Sequence, residues 1–222
     1  MLHVIAEKNK NKKLMDKTEL TIKAYNLSAV NFQDKFMDLK LYKDSFEYLY
    51  KYFKPNFKIL DLGCGPGNVA KYLLEKDKTL KVYGIDLSEE MIKLARKNVP
   101  EADFSNLDIR KIDFKPKEFD IIIASFCLPF LYNEEAIDLI KKIASFLKES
   151  GIIYLSTMEG NEFRFEKPSF CEDHKMFFNY YEESFLIRNF EENKLNIEKY
   201  FKQDYYNKDG SIMKDMIFIL KK

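Results

Sequence analysis

Two rhythms alternate along residues 57–157. Apolar runs of strand length occupy 57–62, 80–86, 102–106, 119–126 and 152–157. Runs that are apolar on every position belong to strands buried on both faces, as in a parallel sheet. Between them the apolar residues recur every three or four positions, which is the helical spacing. Met91, Ile92, Leu94 and Ala95 mark one such face, and Pro100 closes that helix. Ala136, Ile140, Ile143, Ala144 and Leu147 mark another over 133–150, with Gly151 placed to end it. Strand and helix in strict alternation predict an α/β fold, a doubly wound and mostly parallel sheet with helices on both faces.

The flanks follow other patterns. Residues 14–26 predict a short helix, and 32–53 a second one carrying Phe36, Leu39, Tyr42, Phe46, Leu49 and Phe53. Pro55-Asn56 breaks that helix before the first strand. Beyond Thr157 the segment 158–178 shows little periodicity but many aromatic residues. A helix over 182–193 follows, then strands near 197–205 and 213–220 with Asp209-Gly210 in the turn, the mark of a hairpin. Lys8, Lys10, Lys12 and Lys13 read as a short solvated run.

The first strand stops at Gly63-Cys64-Gly65-Pro66-Gly67, and a helix opens at Asn68. Alternate glycines permit positive φ and let backbone amides approach a ligand closely. The helix that follows directs its partly positive N-terminus into the same space. The dinucleotide fingerprint requires a third glycine where this chain has Asn68, and here that glycine comes one residue early, at Gly67. Asp61 stands two places before the loop, and the second strand ends on another acid, Asp86. An acid at that distance from a glycine loop suits a ribose hydroxyl. Ser88 is then a good N-cap, with Glu89 and Glu90 in the first helical turn.

Composition narrows the classes. With 37 basic and 36 acidic residues the formal charge is +1, so no global field attracts nucleic acid or anionic lipid. Three scattered cysteines, Cys64, Cys127 and Cys171, fit neither a disulfide framework nor a metal knuckle. No apolar run approaches the length of a membrane span or signal peptide. The expectation is a reduced, cytoplasmic setting.

The segment Asp61-Leu62-Gly63-Cys64-Gly65-Pro66-Gly67 closely resembles the first motif of class I S-adenosylmethionine-dependent methyltransferases. Asp86, the Asp108-Ile109 pair and the 119–126 strand stand in the order that family uses. The resemblance covers residues 57–157 well and the ends loosely. It implies a seven-stranded Rossmann-like sheet with an antiparallel C-terminal hairpin. It implies one domain over 1–222, in which 1–54 form a helical cap and 158–181 a lid.

It also implies roles for individual residues. S-adenosyl-L-methionine would be the cofactor, its methionine portion on the backbone of Gly63 and Gly65 within the loop that also holds Cys64 and Gly67. Asp61 would reach its amino group and Asp86 its ribose, with Leu87 and Met91 bordering adenine. Asp108 and the Ile109 amide would read the adenine edge. Ser125 and Phe126 would lie beside the sulfonium, and Tyr25 would close over the cofactor.

In-line transfer from a sulfonium needs no metal, and a base only for certain acceptors. The candidates for acceptor chemistry are His174 and Tyr181, with Tyr180 and Arg164 as neighbours in the aromatic tail. The stretch Ser125-Phe126-Cys127-Leu128-Pro129-Phe130 lacks the amide and Pro-Pro pair typical of nucleobase methyltransferases. A small-molecule acceptor is therefore expected, without nucleic-acid or membrane partners. Three alternatives stand beside it: a non-catalytic S-adenosylmethionine-binding protein, a protein or nucleic-acid methyltransferase, and an NAD-dependent oxidoreductase.

Overall fold

A computed structural model describes residues 16–206 and 210–222. The lysine run at 8–13 and Asp209 of the expected turn lie outside the described residues. The Rossmann-like core alternates β1 (Lys58–Leu62), α3 (Asn68–Lys76), β2 (Lys81–Asp86), α4 (Glu89–Asn98), β3 (Asp103–Asn106), β4 (Phe119–Ser125), α5 (Asn133–Phe146) and β5 (Leu147–Met158). Two helices precede it, α1 (Lys17–Phe36) and α2 (Lys43–Tyr50). After it come β6 (Phe163–Glu166), β7 (Met176–Asn179), α6 (Glu183–Glu192), β8 (Asn196–Tyr206) and β9 (Ile212–Lys221).

The seven-stranded sheet has the order β3-β2-β1-β4-β5-β9-β8. The first five strands are parallel, while β9 runs antiparallel to both β5 and β8. The strand order reverses between β1 and β4, and a crevice at the carboxyl ends of strands on either side of such a reversal is where open α/β sheets bind ligands. Side chains alternate across the sheet as pleating requires. Leu60, Leu62, Ile122 and Ala124 enter the core beneath α5 and α6, with Ile140 and Phe190. Ile59, Ile121 and Ile123 enter the opposite core with Phe46, Leu73 and Ile92. No described helix is long and apolar enough to cross a membrane.

Three expectations from sequence need correction. The N-terminal break falls after Phe36, because α1 runs on through a kink at Ser28 and no glycine or proline interrupts it. Helix α5 ends at Phe146, and Leu147 is already extended and paired with Phe119, so Gly151 does not cap it. The positive φ falls on Ser150; a Cβ on Gly151 would meet Leu147 Cγ at 2.7 Å. The aromatic segment after β5 contains a second, two-stranded sheet, β6 with β7. Its Arg164, Phe165 and Phe177 have neither clean alternation nor a glycine turn to announce it.

Gly84 fixes how tightly β2, β3 and the glycine loop can approach. A Cβ there would lie 2.6 Å from Phe104 Cδ1 and 3.0 Å from Cys64 Cβ. Gly84→Ala is therefore expected to destabilise the fold by about 1–3 kcal/mol, the usual range for overpacking. Chemical denaturation would read it, and a midpoint equal to the parent's would show that the packing there is loose.

Candidate functional site

One cavity of about 1230 Å³ opens over the carboxyl ends of β1, β2, β4 and β5. Ordinary ligand pockets span about 300–1,000 Å³, so a nucleoside-sized group and a second small molecule fit together here. The loop after β1 forms its floor. Gly63, Gly65 and Gly67 all take positive φ, and Cys64 N–H donates to Ile85 O at 2.9 Å, sewing the loop to β2. Gly67 also allows α4 to pack close: a Cβ there would meet Val99 Cγ2 at 3.2 Å and Ala95 Cα at 3.3 Å. Asn68 does not do the work of a third glycine; its side-chain amide donates to Phe36 O at 3.0 Å, tying α1 to the loop.

Two carboxylates converge above that floor. Asp61 sits in register between Gly84 and Ile123 and is 1% exposed. Among the described residues its Oδ2 has no hydrogen-bond partner, yet the residue lines the cavity. Burial, aided by the charge of Asp86, pushes its carboxyl up to about 7. A buried acceptor left unpartnered at a cavity wall is suited to a cationic donor from a ligand. Asp86 is better supplied. Its Oδ2 accepts from Gly65 N–H at 3.0 Å and its Oδ1 from Ser88 N–H at 2.8 Å. Burial raises its carboxyl, and the amides of Ser88, Gly65 and Leu87 work against that rise. Each oxygen keeps a lone pair for a hydroxyl donor. The Gly65 amide, expected to hold a ligand, donates to Asp86 instead, while Gly63 and Gly65 both line the cavity.

Helix α1 roofs the cavity. Tyr25 stacks on Phe170 with ring centroids 5.4 Å apart, and its edge contacts reach Phe130 at 5.5 Å and Phe32 at 5.6 Å. Burial and the nearby Asp86 charge raise its hydroxyl far above the ordinary tyrosine value, so it stays protonated. Asn26 Oδ1 accepts from Ser88 Oγ at 2.7 Å, and Thr21 Oγ1 from Phe177 N–H at 3.2 Å. Asp16 caps the helix through Thr18 N–H. Lys17, 7% exposed at its side chain, pairs with Glu135 and donates to Phe130 O at 3.0 Å.

Leu87, Met91, Asp108 and Ile109 line the far side of the same cavity. Asp108 is already engaged: Arg110 bonds its two oxygens through Nε and Nη2, at 2.7–3.2 Å, and Arg110 N–H donates to Oδ1 at 3.0 Å. Burial alone would raise the Asp108 carboxyl, but the bonds from Arg110 outweigh it and hold it below the usual value. Arg110 continues to Glu135 at 3.0 Å, so α1, α5 and this turn share one ionic network. Ser125 and Phe126 also line the cavity. Phe126 is held at φ 52°, an unusual conformation for a bulky residue, by its N–H donating to Ser156 O at 3.0 Å.

The two residues expected to serve the acceptor fall elsewhere. His174 lies in a second, smaller cavity with Leu27, Asn31 and Cys171, behind the wall formed by Phe170. Tyr181 is 1% exposed and does not line the main cavity; its hydroxyl faces Leu128 O at 2.9 Å and Leu131 O at 2.8 Å. It clamps the segment after β4 to the tail. Its neighbour Tyr180 does line the cavity, donating to Glu166 Oε1 at 2.6 Å with Arg164 over its ring. Sequence reasoning missed a closer pair, Tyr42 and Asp215, which are 173 positions apart and joined at 2.8 Å. Only an acid breaking the apolar run of β9 hinted at it.

Comparison with known proteins sets this geometry beside a family. Residues 59–151 match the family model described as a methyltransferase domain, a span that includes the glycine loop and both converging carboxylates. Over those residues the chain is similar to that family. Protein 235L of Invertebrate iridescent virus 6 is 29% identical over 170 residues, covering 74% of this chain and 61% of its own. The trans-aconitate 2-methyltransferase of Enterobacter sp. (strain 638) is 38% identical over 96 residues, covering 43% of this chain and 36% of its own. The chain thus spans less than two thirds of the length of these curated relatives. Among solved structures, a 1,6-didemethyltoxoflavin-N1-methyltransferase from Burkholderia thailandensis superposes with a TM-score of 0.67 at 17% identity, covering 90% of this chain and 86% of that one. At that identity the likeness is one of fold.

Proposed function

We propose that this protein transfers a methyl group from S-adenosyl-L-methionine to a small-molecule acceptor. The observation that carries the proposal is the buried, unpartnered Asp61 oxygen beside Asp86, at the wall of a cavity with room for two molecules. Asp61 would receive the cofactor's ammonium group. Gly63 would line its methionine chain, and Asp86 would accept from both ribose hydroxyls in charge-assisted bonds. Leu87 and Met91 would flank adenine, whose edge would meet Asp108 and Ile109. With Asp108 already bonded to Arg110, that contact rests on the lone pairs Arg110 leaves. Tyr25 would close the roof, and Ser125 and Phe126 would stand beside the sulfonium. Bound there, the cofactor supplies an electrophilic methyl group.

Orienting the two reactants and excluding water contribute about 7–11 kcal/mol when alignment is good. Residues 158–181 and the helices before β1 are assigned as lid and cap around a single domain. Relatives named for trans-aconitate and for malonyl-[acyl-carrier protein] support a metabolite-sized acceptor. So does the 1,6-didemethyltoxoflavin bound in the Burkholderia enzyme. The test is incubation with methyl-labelled S-adenosylmethionine and a low-molecular-weight metabolite extract. Label should appear in small products and S-adenosylhomocysteine should accumulate. Cofactor binding without any transfer would instead favour a non-catalytic binding protein.

A further inference from the structure

The cavity wall holds a further buried carboxylate, Asp215, away from the glycine loop. We infer that Asp215, held by Tyr42, receives the methyl acceptor, a small uncharged molecule that attacks through an N–H or O–H group and not through a carboxylate. The inference rests on the methyltransferase reading above and names the substrate class that reading leaves open.

Position comes first. Asp215 lies on β9 opposite Met158, at the carboxyl end of β5, two residues beyond the Ser156 that pairs with Ser125. It shares the cavity with Asp61, Asp86 and Phe126, yet is only 2% exposed. Its Oδ2 accepts from Tyr42 Oη at 2.8 Å. Tyr42 is itself anchored, because Ser45 Oγ donates to its carbonyl at 2.7 Å. The Tyr42 ring lies 5.2 Å from the Phe126 ring. The pair therefore continues the wall at which the reactive methyl would sit, on the side away from the nucleoside.

Charge selects the acceptor. A carboxylate acceptor would need a buried cation to offset its desolvation, and this end offers a buried anion instead. Nearby cations already face acids: Arg164 pairs with Glu162, Lys202 with Glu159 at 2.7 Å, and Lys214 with Asp204 at 3.5 Å. Arg110 is committed to Asp108 and Glu135. Lys35 and Lys167, the remaining lysines of the cavity wall among the described residues, are exposed. The groups facing the pair are phenols: Tyr205 on β8 and Tyr180 after β7 line the cavity, and Tyr154 on β5 lies buried behind the pair. Such a wall accepts a planar, neutral molecule and gives its N–H or O–H one strong acceptor.

The step balances. The acceptor's lone pair forms the bond to the methyl carbon as the carbon–sulfur bond breaks, and that bond's electrons stay on sulfur. The acceptor's proton passes to an Asp215 oxygen and leaves to solvent with the product. Burial pushes the Asp215 carboxyl up to about 6, and the Tyr42 hydrogen bond works against that rise. The ionised form is the active one, so turnover climbs with pH through that region.

The labelled extract assay, resolved by product chemistry, tests this. Expected products keep their label in mild alkali, as N-methyl groups and methyl ethers do. Label released as methanol would mark methyl esters and overturn the inference while leaving the methyltransferase reading in place. Absent transfer by protein that binds the cofactor would overturn it too, whereas absent cofactor binding would instead sink the broader reading. Asp215→Asn should lower turnover of the labelled product at least 30-fold, leave cofactor affinity unchanged and abolish the acid limb of the pH profile. Tyr42→Phe should cost about 5-fold and move that limb to higher pH. A parent-like rate and pH limb in Asp215→Asn would return Asp215 to a packing role.

Discussion

Asp86→Ala is expected to weaken S-adenosylmethionine binding at least 100-fold. The carboxylate would make two charge-assisted bonds to the ribose, each worth about 1.5–3 kcal/mol. Together they account for two or more decades in affinity. A second effect accompanies the first, because the same oxygens accept from Gly65 N–H at 3.0 Å and Ser88 N–H at 2.8 Å. Alanine leaves both amides without that partner and loosens the loop, so thermal stability falls as well, by about 1–3 kcal/mol. Equilibrium binding beside a denaturation curve separates the two losses. Cofactor affinity equal to the parent's would show that Asp86 serves only to hold the loop.

Asp61→Asn carries the other large effect, with opposite signs for stability and binding. The folded carboxyl titrates near 7, well above the ordinary aspartate value of 3.8 from which it is raised. A group whose folded pKa is raised supports the fold fully below its unfolded pKa, and that support is lost as pH climbs through the folded value. The cofactor-free protein should therefore lose stability between about pH 4 and pH 7 at the expense of this one group. At pH 8 the neutral asparagine should stabilise it by about 2–4 kcal/mol, since one pKa unit corresponds to about 1.4 kcal/mol. Cofactor binding runs the other way. The ionised Asp61 attracts an ammonium group, so parent affinity should rise from pH 6 to pH 8, and the asparagine variant should lose that rise with about 30-fold weaker binding at pH 8. Differential scanning fluorimetry across pH, with and without S-adenosylhomocysteine, reads both. A variant no more stable than the parent at pH 8 would mean that Asp61 is not desolvated.

The residues legible in the sequence are those whose role is local. Gly63, Gly65 and Gly67 announce positive φ by their identity, and all three adopt it. Asp86 ends its strand, and Ser88 caps α4 by accepting from Met91 N–H at 3.2 Å. Each depends on neighbours a few positions away. The acceptor end is different, because it is assembled from the turn before α2, the end of β5, β6 and β9. Periodicity says nothing about which of Tyr180 and Tyr181 turns inward; the β6–β7 pairing decides that, with Phe163 opposite Asn179. His174 drew notice as one of two histidines, but its segment packs behind Phe170 against α1. Asp215 was hidden because β9 reads as a buried strand, and only antiparallel pairing with Met158 brings it to the cavity.

The measurement closest to the central claim is calorimetric titration of the purified protein with S-adenosylmethionine, S-adenosylhomocysteine and NAD at pH 8. The geometry of Asp61, Asp86 and the loop predicts saturable one-to-one binding of the first two and none of NAD. Asn68, bonded to Phe36 O where a dinucleotide site needs glycine, is the reason for the contrast. Binding of NAD, with no heat from either sulfur nucleoside, would contradict the account at its base.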